Sequence, residues 1–355
     1  MLDWKKRTED LRGSVDDSVD DVRSYFGGLW LSRTLGSLLA IYLLAALGVG
    51  WYWSQEPALF PVQQQAQASA EKAQRKLVAG YTTVETLKQV SSTLLNKPGG
   101  YLSNDIAPPG LWLDNMPAWE YGVLVQVRDL SRALRKDFAR SQSQSTEDPD
   151  LAKAEPRFNF DNKSWALPAS EAEYAEGIKS LDRYLARLAD PSQPNAQFYA
   201  RADNLNNWLG DTATRLGSLS QRLSASVGRV RLNTDMSDKA PVVGEAVQLS
   251  EEEVKTPWLQ IDNVFYEARG QAWALSHILR AIEVDFADVL AKKNATVSVR
   301  QIIRELEAAQ EPLWSPMILN GSGYGVLANH SLVMANYISR ANAAIIDLRT
   351  LLTQG

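Results

Sequence analysis

The chain has 355 residues, 42 acidic against 37 basic side chains and a net charge of -5, with no block of like charge that would suit nucleic acid. It has no cysteine, which excludes disulfides, thiolate metal sites and a cysteine nucleophile; with only His277 and His330 as imidazoles, a zinc site would have to draw on carboxylates. Composition therefore sets nucleic-acid binding aside, calls for no metal or cofactor, and leaves ample material for a core.

Residues 1–33 mix Lys5, Lys6, Arg7 and Arg12 with Asp16, Asp17, Asp20 and Asp21. Leu11, Val15, Val19, Val22 and Phe26 recur at spacings of three and four, which suits an interfacial helix as well as it suits a solvated cytoplasmic tail. Thr34–Trp53 carries no charge and closes on Trp51-Tyr52-Trp53. About 20 apolar residues at 1.5 Å rise cover roughly 30 Å of hydrocarbon, so residues 34–53 read as a transmembrane helix in contact with membrane lipid. The long tail before it and the bulky aromatic triplet after it argue against a cleaved signal peptide. Arg23 and Arg33 precede the span and no Lys or Arg follows it until Lys72, which favours an N-terminus in the cytoplasm and a C-terminal domain outside.

Residues 54–63, around Glu56-Pro57 and Pro61, form an extended stem. From Gln63 to Asn96 the sequence predicts one long helix with Leu77, Tyr81, Val84, Leu87 and Leu94 on its stripe; its polar, alanine-rich start reads as a stalk. That helix stops at Lys97-Pro-Gly-Gly100. Tyr101–Met116 is an aperiodic aromatic loop, and a helix follows from Pro117 to about Arg140. Ser141–Asp150 reads as a solvated linker, with a sub-boundary placed within 141–168, and Arg157–Trp165 alternates like a strand or extended hook. Ser170 and Glu173 form a capping-box pattern before a helix on Tyr174, Ile178, Leu181, Leu185 and Leu188. Another helix is expected from about Asn195 to Val227, then a second irregular region over 228–256 with Arg229–Leu232 as a short strand.

The most regular stripes lie between Trp258 and Ala291 and from Tyr324 to Leu352, with a short helix over Val299–Glu307 and an aromatic, glycine-rich loop over Pro312–Gly323. Sustained alternation of four and three is the seam of long helices at shallow angles. The expected fold is all-α: one N-terminal transmembrane helix, then a long-helix bundle over 64–355 with aromatic, glycine- and proline-rich loops and at most a few short extended segments. Two internal echoes suggest a duplicated helix pair: Tyr121-Gly-Val-Leu124 with Tyr324-Gly-Val-Leu327, and Leu130–Phe138 with Ile278–Phe286.

Chemistry has few carriers. His330, in Asn329-His-Ser331 on the first turns of the last helix, is a candidate general base beside free N–H groups, or a hydrogen-bonded histidine of a bundle. His277 falls off the main seam, with Tyr266, Gly270 and Trp273, and reads as a satisfied inter-helix histidine. Asp105, Asp114 and Glu120 could supply paired carboxylates for glycoside cleavage, although such residues also serve turns and caps. Tyr101, Trp112, Trp119, Trp314 and Tyr324 suit a recognition surface better.

The runs Lys97–Asp105, Leu113–Pro117 with Trp119–Asp129, and Ala328–Ala335 with Ile338–Ala343 resemble the bacterial family labelled domain of unknown function 2333, over nearly the whole chain. The resemblance implies a single-pass inner-membrane protein of Gram-negative bacteria with an outward-facing helical domain, and brings no cofactor or catalytic residue with it. The reading is a periplasmic structural or interaction protein that binds a protein, lipid or cell-wall partner through its loops and leaves room for an oligomer. The alternatives are a tethered hydrolase using the loop carboxylates or His330, and a sensor subunit signalling through a partner.

Overall fold

The structure, a computed structural model, describes residues 30–354 apart from 31, 142–145, 194, 233–250, 316 and 323. The expected interfacial helix within residues 1–29 lies outside the described residues. The chain divides into two compact units, one ending at Tyr52 and one beginning at Trp53. Helix α1 (Ser32–Trp53), which lies in the first up to its last residue, has 22 residues and a mean hydropathy of 1.8. At 1.5 Å per residue it is about 33 Å long, enough to cross a bilayer. Leu35, Leu38, Leu39, Ile41, Leu44 and Leu47 stand exposed along it, an apolar exterior that water would not favour.

The second unit is an all-α bundle. Its helices are α2 (Val62–Lys72), α3 (Tyr81–Asn96), α4 (Asn115–Ala133), α5 (Leu151–Phe158), α6 (Ser170–Leu188), α7 (Ala202–Ser224), α8 (Ile261–Asp285), α9 (Ala287–Lys292), α10 (Thr296–Ala308) and α11 (His330–Thr353). Strands β1 (Arg229–Leu232) and β2 (Glu251–Val254) pair antiparallel, so the short strand expected at 229–232 has a partner in the second irregular region.

Helix α8 is the axis. It packs on α4, α3, α10, α11, α7 and α2, and Phe265, Ala268, Ala272, Leu275, Leu279 and Ile282 are all buried in the core. Its closest partner is α4, and two glycines permit the approach: a Cβ on Gly122 would lie 2.1 Å from the Glu267 carbonyl oxygen, and one on Gly270 2.0 Å from that of Trp119. The contact is reciprocal, since each helix offers a glycine to a carbonyl one turn from the other's glycine. Gly122 lies inside α4, where only a missing side chain lets the backbones meet.

The stem lies along α8. Glu56 receives Arg269 in a two-pronged ion pair, the Ala58 carbonyl accepts from Trp273 Nε1 at 3.4 Å, and the Phe60 N–H donates to His277 Nε2 at 3.0 Å. Residues 56, 58 and 60 thereby meet residues 269, 273 and 277. Two extended residues advance about 6.6 Å and four helical residues about 6 Å, so the two periodicities match over the contact.

Several sequence expectations are corrected. The single helix over Gln63–Asn96 is two, α2 and α3, separated by a turn in which Gln74 has φ +52 and Leu77 is exposed. Arg75 in that turn is held by Asp182 of α6, and Ala66 and Ala70 bury α2 against the domain, so this segment is no stalk. Arg157–Trp165 is not a strand: α5, whose Leu151, Ala154 and Phe158 make a buried stripe despite Pro156, takes its first two residues, and 159–165 run through turns and irregular backbone. The solvated linker is solvated only in part: Asp148 and Asp150 are buried and receive Arg187, with Arg183 also on Asp150. Ser170 does not cap its helix but donates to the Asp161 and Ser164 carbonyls, while Glu173 pairs with Arg157. Helix α7 begins at Ala202 rather than Asn195, because residues before it run extended and bury Phe198 against Phe138 and Phe286. Tyr324 and Leu327 precede α11 in a loop whereas Tyr121 and Leu124 lie within α4, so the first internal echo has no common structure.

Candidate functional site

The segment between α10 and α11 is a loop with a fixed base and an exposed tip. At the base, the His330 N–H donates to the Leu319 carbonyl at 2.9 Å and the Leu319 N–H donates to His330 Nδ1 at 3.1 Å. Asn329 is the N-cap of α11: its Oδ1 accepts from the Leu332 N–H at 2.8 Å, and its Nδ2 donates to Asn320 Oδ1 and the Gly321 carbonyl. Asn320 in turn donates to the Ser226 carbonyl. Gly321 has no room for a Cβ, which would lie 2.1 Å from the Leu327 carbonyl oxygen. Leu313 and Ile318 pack against the core. Above this base, Trp314 is 95% exposed and Tyr324 and Val326 are fully so, with Met317 and Leu327 mostly exposed.

Beside the loop runs a groove of about 250 Å³ walled by Phe265 and Arg269 of α8, Leu313, Trp314, and Met334 and Tyr337 of α11, with His330 at its edge. Burial lowers the His330 pKa, which keeps the ring neutral. With Nδ1 accepting from Leu319, the proton belongs on Nε2, so the ring offers a donor and no free base. Arg269 closes the floor: besides Glu56 it donates to the carbonyls of Ala309, Gln310 and Glu311, capping the C-terminal end of α10.

The five aromatic candidates separate. Trp314 and Tyr324 share the loop tip, and Trp112 is half-exposed on another loop beside exposed Leu111. Tyr101 and Trp119 belong to the core: the Tyr101 hydroxyl donates to the Asn162 carbonyl and its ring stands edge-on to Tyr174, and Trp119 packs on Trp273.

The acidic candidates separate too. Glu120 is fully buried. It accepts from the Leu102 and Ser103 N–H groups at 2.8 Å, from the Ser103 hydroxyl, and from Lys97 Nζ at 2.6 Å, itself fully buried. Burial raises its pKa, against the pull of Lys97 and the donors. This carboxylate holds the 97–103 turn to α4. Asp105 is raised by partial burial and by Glu171. Asp114 lines a second groove of about 410 Å³ with Tyr121, Asn162, Lys163, Asn263 and the Arg222–Glu267 ion pair. It also helps burial to raise Asp262. His330 thus sits in one groove and Asp114 in another, while Asp105 and Glu120 both feel Lys97. Among the described residues no group of three or more His, Asp or Glu is placed to hold a metal ion.

Sequence reasoning missed Arg269 and the role of the stem. The signal was present: Arg269, Trp273 and His277 are spaced by four on the second apolar face of α8, and a lone cation on such a face needs a buried partner.

Fold and site together define a compact helical domain with a pinned, outward-facing apolar loop, on a chain that has, among the described residues, one helix long and apolar enough to cross a membrane. The chain belongs to the bacterial family described as "Uncharacterized protein conserved in bacteria (DUF2333)", whose family model matches residues 25–355. No curated protein and no solved structure matches it.

Proposed function

We propose that this protein is a single-pass, membrane-anchored interaction protein of the bacterial cell envelope, with its N-terminus in the cytoplasm and its helical domain in the periplasm. The domain engages its partner through the loop between α10 and α11. The observation that carries the reading is the concentration of exposed Trp314, Met317, Tyr324, Val326 and Leu327 on one loop whose base is fixed by hydrogen bonds. Large exposed apolar side chains cost solvation and are found together where something covers them. The apolar length of α1 and the Arg23 and Arg33 flank support the anchor and its orientation.

The hydrolase alternative draws no support from geometry, since His330 and Asp114 line different grooves and Glu120 is buried with both oxygens held by Leu102, Ser103 and Lys97. Complementation of a deletion strain tests the choice. The paired variant Trp314→Asp, Tyr324→Asp is expected to lose function at normal protein level, and the double variant Asp105→Ala, Asp114→Ala to keep it. The opposite pattern would sink the proposal.

A further inference from the structure

Resting on that reading of the loop, we infer that its partner is a lipid bilayer surface: the loop tip dips into the boundary between headgroups and acyl chains, giving the domain a second attachment besides the helix α1. Three observations carry this. The 18 residues 312–329 contain no charged side chain, between Glu311 and His330. Protein interfaces favour Arg at hot spots, and this loop has no Arg. Its exposed side chains are Trp314 and Tyr324, which suit the headgroup boundary, together with aliphatic Val326 and Leu327 and flexible Met317.

The second observation concerns the backbone. A segment entering lipid must satisfy its own N–H and C=O groups. Several of these groups pair within the loop: the Gly321 N–H donates to the Ala328 carbonyl, the Gly325 N–H to the Ser322 carbonyl, the Ser315 hydroxyl to the Met317 carbonyl, and Asn329 Nδ2 to the Gly321 carbonyl.

The third is tethering. A chain held in a membrane by its own helix meets lipid at a high effective concentration, so a shallow insertion too weak to recruit a free protein suffices. No Lys or Arg lies within the loop, so the contact does not require anionic lipid.

The lack of native cysteine makes the test direct. The full chain carrying Val326→Cys, labelled with an environment-sensitive fluorophore, is reconstituted into phosphatidylcholine vesicles containing a lipid spin-labelled near the headgroup. Lys179→Cys, on the exposed surface of α6, is the reference. The Val326 probe is expected to be quenched several-fold more strongly than the Lys179 probe. Equal quenching overturns the inference. A photocrosslinker placed at Trp314 in cells then separates the two claims. Without lipid quenching, a specific protein adduct leaves the interaction reading standing and the lipid inference fallen; with neither, both fall.

Discussion

His277 shows how one side chain ties chemistry to folding. Its Nδ1–H donates to the Trp273 carbonyl at 2.6 Å, its Nε2 accepts from the Phe60 N–H, and its ring stacks on Phe60 at 3.9 Å between centroids. Both nitrogens are committed to the neutral form, and protonation would set an Nε2–H against the Phe60 N–H. Burial lowers its pKa from 6.5 to about 4, opposed by the Trp273 hydrogen bond and helped slightly by Arg280. The folded state therefore resists a proton that the unfolded chain accepts. This stability is fully present above pH 6.5 and is lost as pH falls toward 4. At 1.36 kcal/mol per unit the loss between pH 7 and pH 5 is about 2 kcal/mol. Urea denaturation at the two pH values should show it in the wild type, and the extra slope should vanish in His277→Gln. A wild type with no steeper pH dependence than the variant would count against the arrangement. That His277 is a satisfied inter-helix residue could be read from its position off the main seam. Glu120 could not be read this way, because an acid in the first turns of a helix looks solvated until the 97–103 turn, distant in sequence from it, folds over its carboxylate.

Among the elements, α4 and α8 meet with backbone facing backbone. Gly122 and Gly270 are not there for a turn: both sit inside helices, where glycine costs about 1 kcal/mol of helix propensity, offset by close packing. Gly270→Val should push the helices apart and destabilise the domain by roughly 1–3 kcal/mol or more, measured by thermal melting, whereas a valine at exposed Lys179 should change little. Equal effects at the two positions would mean that the crossing tolerates separation. Periodicity made the seams of α6, α8 and α11 legible because a helix buried on one side must repeat its apolar residues at three and four. It failed where tertiary contacts set the boundary. The break between α2 and α3 is fixed by Arg75 on Asp182 and by Phe198 packed over Gly80, whose φ is +87; none of these signals is local. Helix α5 was hidden by Pro156 and by the alternation of Phe158 and Phe160. In the same way the start of α11 was misplaced by a loop whose Tyr324, Val326 and Leu327 continue an apolar rhythm without being buried.

At the scale of the molecule, Arg269 joins three parts distant in sequence: the stem through Glu56, the end of α10 through three carbonyls, and the floor of the groove beneath Trp314. Removing a buried guanidinium leaves a carboxylate and several acceptors uncompensated, at a cost of roughly 3–5 kcal/mol. Arg269→Ala should therefore speed amide exchange at Phe60 and in the last turn of α10 together; loosening of one without the other would show the two to be independent. The fold class was legible in the sequence because bundles advertise their seams, and the loop of Trp314 because composition marks it, whereas Tyr324 falls in the expected helix stripe and stands outside α11. The coupling through Arg269 was not, since it depends on which helix end lies beside which stem.

The stem itself has a mechanical consequence. Because residues 56, 58 and 60 engage α8 at successive rungs one helical repeat apart, a pull on the chain at Trp53 is resisted first by the Glu56–Arg269 pair and then by the bonds behind it, at Trp273 and His277. Tension entering from the N-terminal side is thus delivered to the deeply buried axial helix of the domain, and through Arg269 to the end of α10, rather than to a terminus that could be unravelled residue by residue.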